Sequence, residues 1–337
     1  MRNIDDYKIT NVLPPEDNRN DIEIDDNTNE DELFTFVELN EKQSEHLAAE
    51  PYSYWKSVFR AFIKKPGAVI SLISLVIFLL CILIIPLFVN EELISTSRES
   101  IYKNLAPSSE YWFGTDVIGR DMFSLVFIGA RKSLFLALIS SVIVVIVGTL
   151  VGLAWGYFKK LDPLFVEIYN LISNIPGLLL YMLLGTIFRE AFPTTAPEIR
   201  LIVSLSLFGW IGLARFIRNQ VIIINNRDYN IASITLGTPP FRMMIKNLLP
   251  YILAVVITET SLIIPGMVSS EVTMSYFGVG LPSTAISIGA VLEEGTKGFQ
   301  QCPWQLLAPA AILAWIIFTF FLMGISLSDA LDPKKHR

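Results

Sequence analysis

The sequence predicts an all-α polytopic membrane protein with six transmembrane helices. Three observations carry this. Of 337 residues, 52% are hydrophobic and 17% are charged, against about 25% charged in an ordinary soluble domain. Residues 66–90, 133–158 and 168–188 are charge-free runs of 25, 26 and 21 residues, each enough for a helix to cross about 30 Å of hydrocarbon. The charge is also divided. Residues 1–50 hold 15 acidic and 4 basic residues, while residues 51–337 hold 17 acidic and 22 basic. The overall charge of −6 therefore averages two regions with different physics.

Residues 1–52 form an acidic tail, and its first 32 residues are too polar to offset the entropy of ordering. In SYWKSVFRAFIKK (53–65), Trp55, Val58, Phe59, Phe62 and Ile63 recur at helical spacing. Lys56, Arg60 and Lys64 form a second stripe. That pattern predicts an amphipathic helix lying in the inner headgroup layer. The first transmembrane helix follows over 66–90. The first apolar run starts too late and is too long for a cleaved signal peptide, so an uncleaved helix is expected. A loop over 91–131 is too short for a catalytic domain. The second and third crossings are expected within 132–159 and 167–189. The fourth, about 200–217, is the weakest, with 14 charge-free residues between Arg200 and Arg215. The fifth, about 248–270, carries Glu259 near its middle, and the sixth covers about 306–328. These runs lack the alternation of barrel strands, which excludes a β-barrel.

With both termini inside, the cytoplasmic flanks hold 14 Lys and Arg and the outer segments 8. The positive-inside bias therefore predicts N-in and C-in, with five basic residues in the first outer loop as the main dissent. The reactive inventory is nearly empty. No Gly-Lys pair occurs, so a P-loop is not expected. HExxH, CxxC and GxSxG are absent, and the two histidines, His46 and His336, lie in polar ends. Two cysteines make neither a disulfide scaffold nor a thiolate metal cage. The chain reads as a conduit or scaffold, with no catalytic residue, metal site or nucleic-acid partner expected.

The informative loop is 219–247, NQVIIINNRDYNIASITLGTPPFRMMIKN. Tyr229–Leu236 suits a short helix with Asp228 as N-cap and small Ala232 and Ser233 on it. Gly237 ends it through positive φ, and Pro239-Pro240 forbids simple continuation. The expected result is a short stiff knob that another protein can approach closely, with Pro250 opening the fifth crossing.

This loop resembles the EAA loop of ABC importer permeases, through Ala232, Gly237 and Leu249-Pro250 at the family spacing. Ile231 replaces the usual Glu, Ser233 the second Ala, and Asn247 stands where many members have His. FGTDVIGRDMFS (113–124) with GARKSL (129–134) looks like the signature of the C-type permease subunit of oligopeptide and dipeptide importers. ISNIPGLLL (172–180), ARFIRNQV (214–221), EVTMSYFGVGLP (271–282), DALDPK (329–334) and residues 36–62 also fit. The resemblance covers about 33–334 and implies a type I ABC importer transmembrane fold, with a five-helix core over 132–328 and a cytoplasmic C-terminus at 329–337. It implies a multi-pass protein of the bacterial cell membrane that forms half of a pore taking up oligopeptides. The implied partners are a homologous B-type permease subunit, two ATPase subunits that hold ATP and Mg²⁺, an extracytoplasmic peptide-binding protein and membrane lipid. The knob would be the coupling helix, through Asp228, Tyr229, Ala232, Ser233, Leu236, Gly237 and Pro250. Related subunits leave nickel chelates, glycopeptides or a peptide pheromone as alternative cargo, and a scaffold or channel uncoupled from ATPases as the alternative of another class. Glu259 either lines the pore and contacts a peptide's amino end, or pairs with an Arg or hydroxyl of the partner subunit. Glu271 is either a gate residue or an interhelical hydrogen-bonding group. Arg120 and Asp121 either dock the binding protein or stabilise a local turn.

Overall fold

The computed structural model describes residues 54–89, 94, 100–282 and 285–331. The acidic tail 1–52 and residues 332–337 of the expected cytoplasmic C-terminus lie outside the described residues. The fold is built from helices, and strand geometry among the described residues is limited to one isolated bridge, Thr115 with Asp121.

Helix α1 (Tyr54–Lys64) is the predicted amphipathic helix. Part of its apolar stripe is turned onto the protein. Val58 and Phe62 pack with Ala68, Ala330 and Leu331, while Phe59 and Ile63 stay exposed. Helix α2 (Pro66–Ile84) follows with Pro at its start, where a missing N–H costs nothing. A 2.8 Å ion pair from Lys65 to Asp329 ties the α1–α2 junction to the last helix.

Helix α3 (Met122–Tyr157) corrects the expected loop 91–131, because it begins ten residues before Lys132. Arg131 and Lys132 sit inside its first turns, with Lys132 paired to Glu198 at 2.8 Å. The third crossing is not one rod. Helices α4 (Asp162–Ser173) and α5 (Gly177–Ala191) are bent by 87° across Asn174-Ile175-Pro176. Pro176 lacks the N–H that a continuing helix needs. Helix α6 (Pro197–Asn225) is far longer than the weak apolar segment from which it was expected. The knob, helix α7 (Asp228–Thr235), follows. The chain then enters helix α8 (Leu249–Tyr276) through a short turn at Pro240–Arg242 and a widened π turn at Met243–Leu248. That widening precedes Pro250, which has no N–H to offer the previous turn. Short helix α9 (Ile288–Lys297) and helix α10 (Trp304–Leu331) complete the chain.

Five helical segments are long and apolar enough to cross a membrane, and the bent α4–α5 pair makes six when taken as one crossing. The tightest helix pair is α3 against α6. Added Cβ atoms at Gly148, Gly152 and Gly156 would fall 2.6–3.0 Å from atoms of Leu213, Ala214, Ile217 and Val221. The backbones of α3 and α6 thus touch where side chains would hold them apart. The main core packs Phe78, Leu125, Val126, Leu205, Val268, Met274, Ile288 and Ile316 from five crossings and α9.

Each end of the bundle is tied by polar contacts. At the knob end, Arg218 grips Asp162 through Nε and Nη2 at 2.7–2.9 Å, and Trp155 Nε1 donates to the same carboxylate at 2.8 Å. At the opposite end, Gln305 Nε2 donates to Asn104 Oδ1 and to the Thr115 carbonyl at 2.9 and 2.8 Å.

Candidate functional site

The knob forms from the residues that predicted it, with one correction. Asp228 is not the N-cap: Arg227 occupies that position, no side chain caps the helix, and Asp228 is its first residue. A carboxylate in the first turn still opposes the positive end of the helix dipole. Gly237 has φ of 83°, and an added Cβ would meet nothing within 4 Å. Its requirement is therefore conformational, since other residues enter this region at a cost of about 1 kcal/mol.

The knob's tip is apolar and unusually open. Leu236 is 87% exposed and Phe241 73%, with Tyr229, Ile231 and Ile234 also exposed. Its base is fixed by asparagines that the sequence reading did not single out as a unit. Buried Asn230 donates to the Ile224 carbonyl at 2.8 Å. Asn247 Nδ2 donates to Asn230 Oδ1 and Ser233 Oγ, both at 3.4 Å. Ser233 also donates to the Tyr229 carbonyl at 2.8 Å, so its hydroxyl is turned into the knob. The Tyr229 ring lies 6.0 Å from that of Tyr251, one residue beyond Pro250. Partial burial, reinforced by the Tyr251 hydroxyl, pushes the Tyr229 phenol above its ordinary range and keeps it neutral. The knob is thus bonded to the π turn that leads into α8 and lies against Tyr251 in the first turn of α8.

Glu259 lines a cavity of about 510 Å³ between α5, α6 and α8, with Tyr181, Gly212, Phe216, Gly266 and Ser270 among its walls. Its spacing with Ile263, Gly266, Met267 and Ser270 places them on one face of α8. The carboxylate makes no hydrogen bond or ion pair to another described residue. A lipid-facing charge at mid-span costs at least about 2–3 kcal/mol, so this one needs water or a polar ligand.

Glu271 is fully buried. Ser275 of its own helix donates to Oε1 at 3.0 Å, and Ser275 Oγ accepts from the Leu281 amide at 3.1 Å. The Ser133 side chain of α3 also approaches the carboxylate. The intrahelical hydrogen bond from Ser275 pins the end of α8 to the following loop, and Ser133 is the carboxylate's interhelical neighbour.

Arg120 and Asp121 are turned inward. Asp121 caps α3, accepting from the Ser124 amide at 2.9 Å. Arg120 binds Asp116 through Nε and Glu294 through Nη2, the latter at 2.8 Å. Asp116 also accepts from the Ile118 and Arg120 amides at 3.0 and 2.7 Å. At 12% side-chain exposure, Arg120 is a strut between this turn and α9 and leaves little for a docking partner to grip. Glu294 was not legible because its pairing with Arg120 joins segments 174 residues apart; Asp116, four residues from Arg120, was within reach of local spacing.

These features can be set beside known proteins. The family described as the binding-protein-dependent transport system inner membrane component matches residues 145–337. The chain belongs to that family. A second family, the N-terminal TM domain of oligopeptide transport permease C, matches residues 53–107 of this permease. The permease is 36% identical to the oligopeptide transport system permease protein AmiD of Streptococcus pneumoniae, over 91% of this chain and 98% of that one. It is 32% identical to the dipeptide transport system permease protein DppC of Bacillus subtilis, over 91% and 94%. It is 31% identical to the oligopeptide transport system permease protein OppC of Escherichia coli, over 89% and 97%. The matches span nearly the whole length of these relatives, knob included.

Proposed function

We propose that this permease forms half of the membrane pore of a peptide importer driven by separate ATPase subunits. The cargo reading rests on the oligopeptide and dipeptide permeases that the chain resembles over about nine-tenths of its length. The coupling reading rests on one observation: a knob with an open apolar tip, Leu236 and Phe241, bonded at its base to the π turn that leads into α8. In this reading α7 seats in a groove of one ATPase subunit, through Asp228, Tyr229, Ala232, Ser233, Leu236 and Gly237. ATP and Mg²⁺ belong to the ATPases, and the chain performs no covalent chemistry. A homologous B-type subunit supplies the other half of the pore, and an extracytoplasmic binding protein delivers the peptide. The knob faces the cytoplasm of a bacterial cell, with both termini on that side. Glu259 lines the path and meets the cationic amino end of the peptide.

The test is uptake by the complete importer reconstituted in vesicles. Gly237→Leu, or deletion of 229–241, is expected to abolish uptake while membrane insertion persists. Transport that survives either change would sink the coupling assignment. Glu259→Gln is expected to lower uptake of free-amino peptides by about tenfold, the loss of one charge-assisted hydrogen bond. Uptake of N-acetylated peptides should change far less. Equal effects on both would remove Glu259 from the peptide's path. Failure of every peptide length to stimulate ATP hydrolysis would count against peptide as cargo.

A further inference from the structure

Glycine inside a helix is destabilising by about 1 kcal/mol relative to alanine, so a glycine held there asks for a physical reason. Most helical glycines of this chain have one. Gly152 lies against Ala214 and Ile217 of α6. Gly209, at the edge of the cavity, would place a Cβ 3.1 Å from both Met267 and Val144. Gly67 and Gly177 also meet open space, but in the first turns of their helices; Gly212 on α6 and Gly266 on α8 are different. Both line the Glu259 cavity, both are exposed, and an added Cβ at either would meet nothing within 4 Å. Packing within this chain does not require either of them.

Two kinds of neighbour give such glycines a purpose: another protein's helix in close contact, or a passage that must stay wide. The rest of the lining decides between them. The same walls carry the Glu259 carboxylate, the Tyr181 ring and the Ser270 side chain. Within this chain the carboxylate has no partner, and a dry helix–helix contact would leave its desolvation uncompensated. A water-filled passage satisfies it, and that favours the second purpose.

We propose that Gly212 and Gly266 set the bore of the translocation path and so limit the size of peptide this permease passes. This deepens the peptide-importer reading and rests on it. A position without a side chain on each of two walls leaves room for side chains of any chemistry, consistent with cargo chosen by size rather than by sequence. Phe216 and Ile263 on the same helices are the bulky neighbours that define the remaining width. Pore diameter at lining positions is a general means of selection in membrane passages.

The test uses the complete importer in vesicles, with both permease subunits, the ATPases and the binding protein. Gly212 and Gly266 are each replaced by Ala, Val and Leu. Uptake is measured for a series from dipeptides to octapeptides, beside recovery of the partner permease subunit with the variant. The ratio of octapeptide to dipeptide uptake is expected to fall in the order Ala, Val, Leu, reaching about tenfold or more for leucine. Recovery of the partner should be unchanged. An equal loss for all lengths would overturn the proposal, as would unchanged ratios. Loss of the partner subunit would show that the glycines contact its helices, which also overturns it. If the wild-type importer takes up no peptide, the functional reading fails first and the proposal with it.

Discussion

At the scale of single residues, polar groups divide into struts and cavity walls, and sequence alone did not separate them. Arg120 and Asp121 stand out as a charged pair beside an expected span, which invites a surface role. The structure shows Arg120 clamped between Asp116 and Glu294. Arg120→Ala would leave Asp116, 2% exposed, without its cation. Stripping one partner from such a buried pair costs about 3 kcal/mol. Thermal unfolding of the purified protein should show that loss, and Arg120→Lys should recover part of it. Unchanged stability with weakened binding-protein affinity would restore the docking role. Glu294 gives a pH signature at the same place. Burial holds its carboxyl above the ordinary value of 4.5, and Arg120 pulls it back only in part. The group therefore prefers its proton more strongly in the fold than in the unfolded chain. Its contribution is fully present below about pH 4.5 and is lost as pH rises through the higher folded value. The stability difference between wild type and Glu294→Gln should shift against wild type over that rise. A shift in the opposite direction would mean that the ion pair, not burial, dominates.

At the scale of elements, hydropathy located the crossings but not their ends or bends. The charge count closed the first outer loop at 131 because Arg131 and Lys132 read as a boundary. A 36-residue helix is about 54 Å long, well beyond the hydrocarbon, so its outer turns carry charge without leaving the helix. Lys132 is satisfied there by Glu198, a partner distant in sequence. The 87° bend of the third crossing was similarly hidden, since composition averages across Pro176. The knob was legible because its determinants are local: Gly237, the double proline and the small residues. Its base was less so, because Asn230 and Asn247 act across a turn. The α3–α6 seam was not legible at all, although its glycines recur every fourth residue. Gly152→Val should break it. The first added carbon alone falls 2.7 Å from the Ala214 carbonyl oxygen, and the backbones must separate. Overpacking of this kind costs about 1–3 kcal/mol or more. Lower yield of folded protein in detergent is expected for Gly152→Val but not for Gly212→Ala, whose Cβ meets open space. Equal yields would mean that the seam relaxes without penalty.

At the scale of the whole molecule, the two ends differ in what they offer. The knob end gathers Lys159, Arg218, Arg227, Arg242 and Lys246 with the apolar tip of α7. The opposite end is braced by the Asp116–Arg120–Glu294 and Gln305–Asn104 contacts. Between them, α2 and the bent α4–α5 pair present open apolar faces, including Leu80, Leu83, Leu171, Leu179 and Leu183. Lipid or a second membrane subunit is the compatible neighbour for such surfaces. The proposed orientation puts this end in the cytoplasm, in line with 14 Lys and Arg in the flanks on its side against 8 on the other. The inference can be tested on intact cells. The native thiols, Cys81 and Cys302, are first replaced by serine or alanine. A single cysteine is then placed at exposed Ile231 on the knob or at exposed Trp112 on the opposite end. A membrane-impermeant maleimide should label position 112 from outside and reach position 231 only after the membrane is opened. The reverse pattern would invert the topology. It would also place α7 on the side without ATP, so the coupling role and the orientation stand or fall together in one labelling experiment.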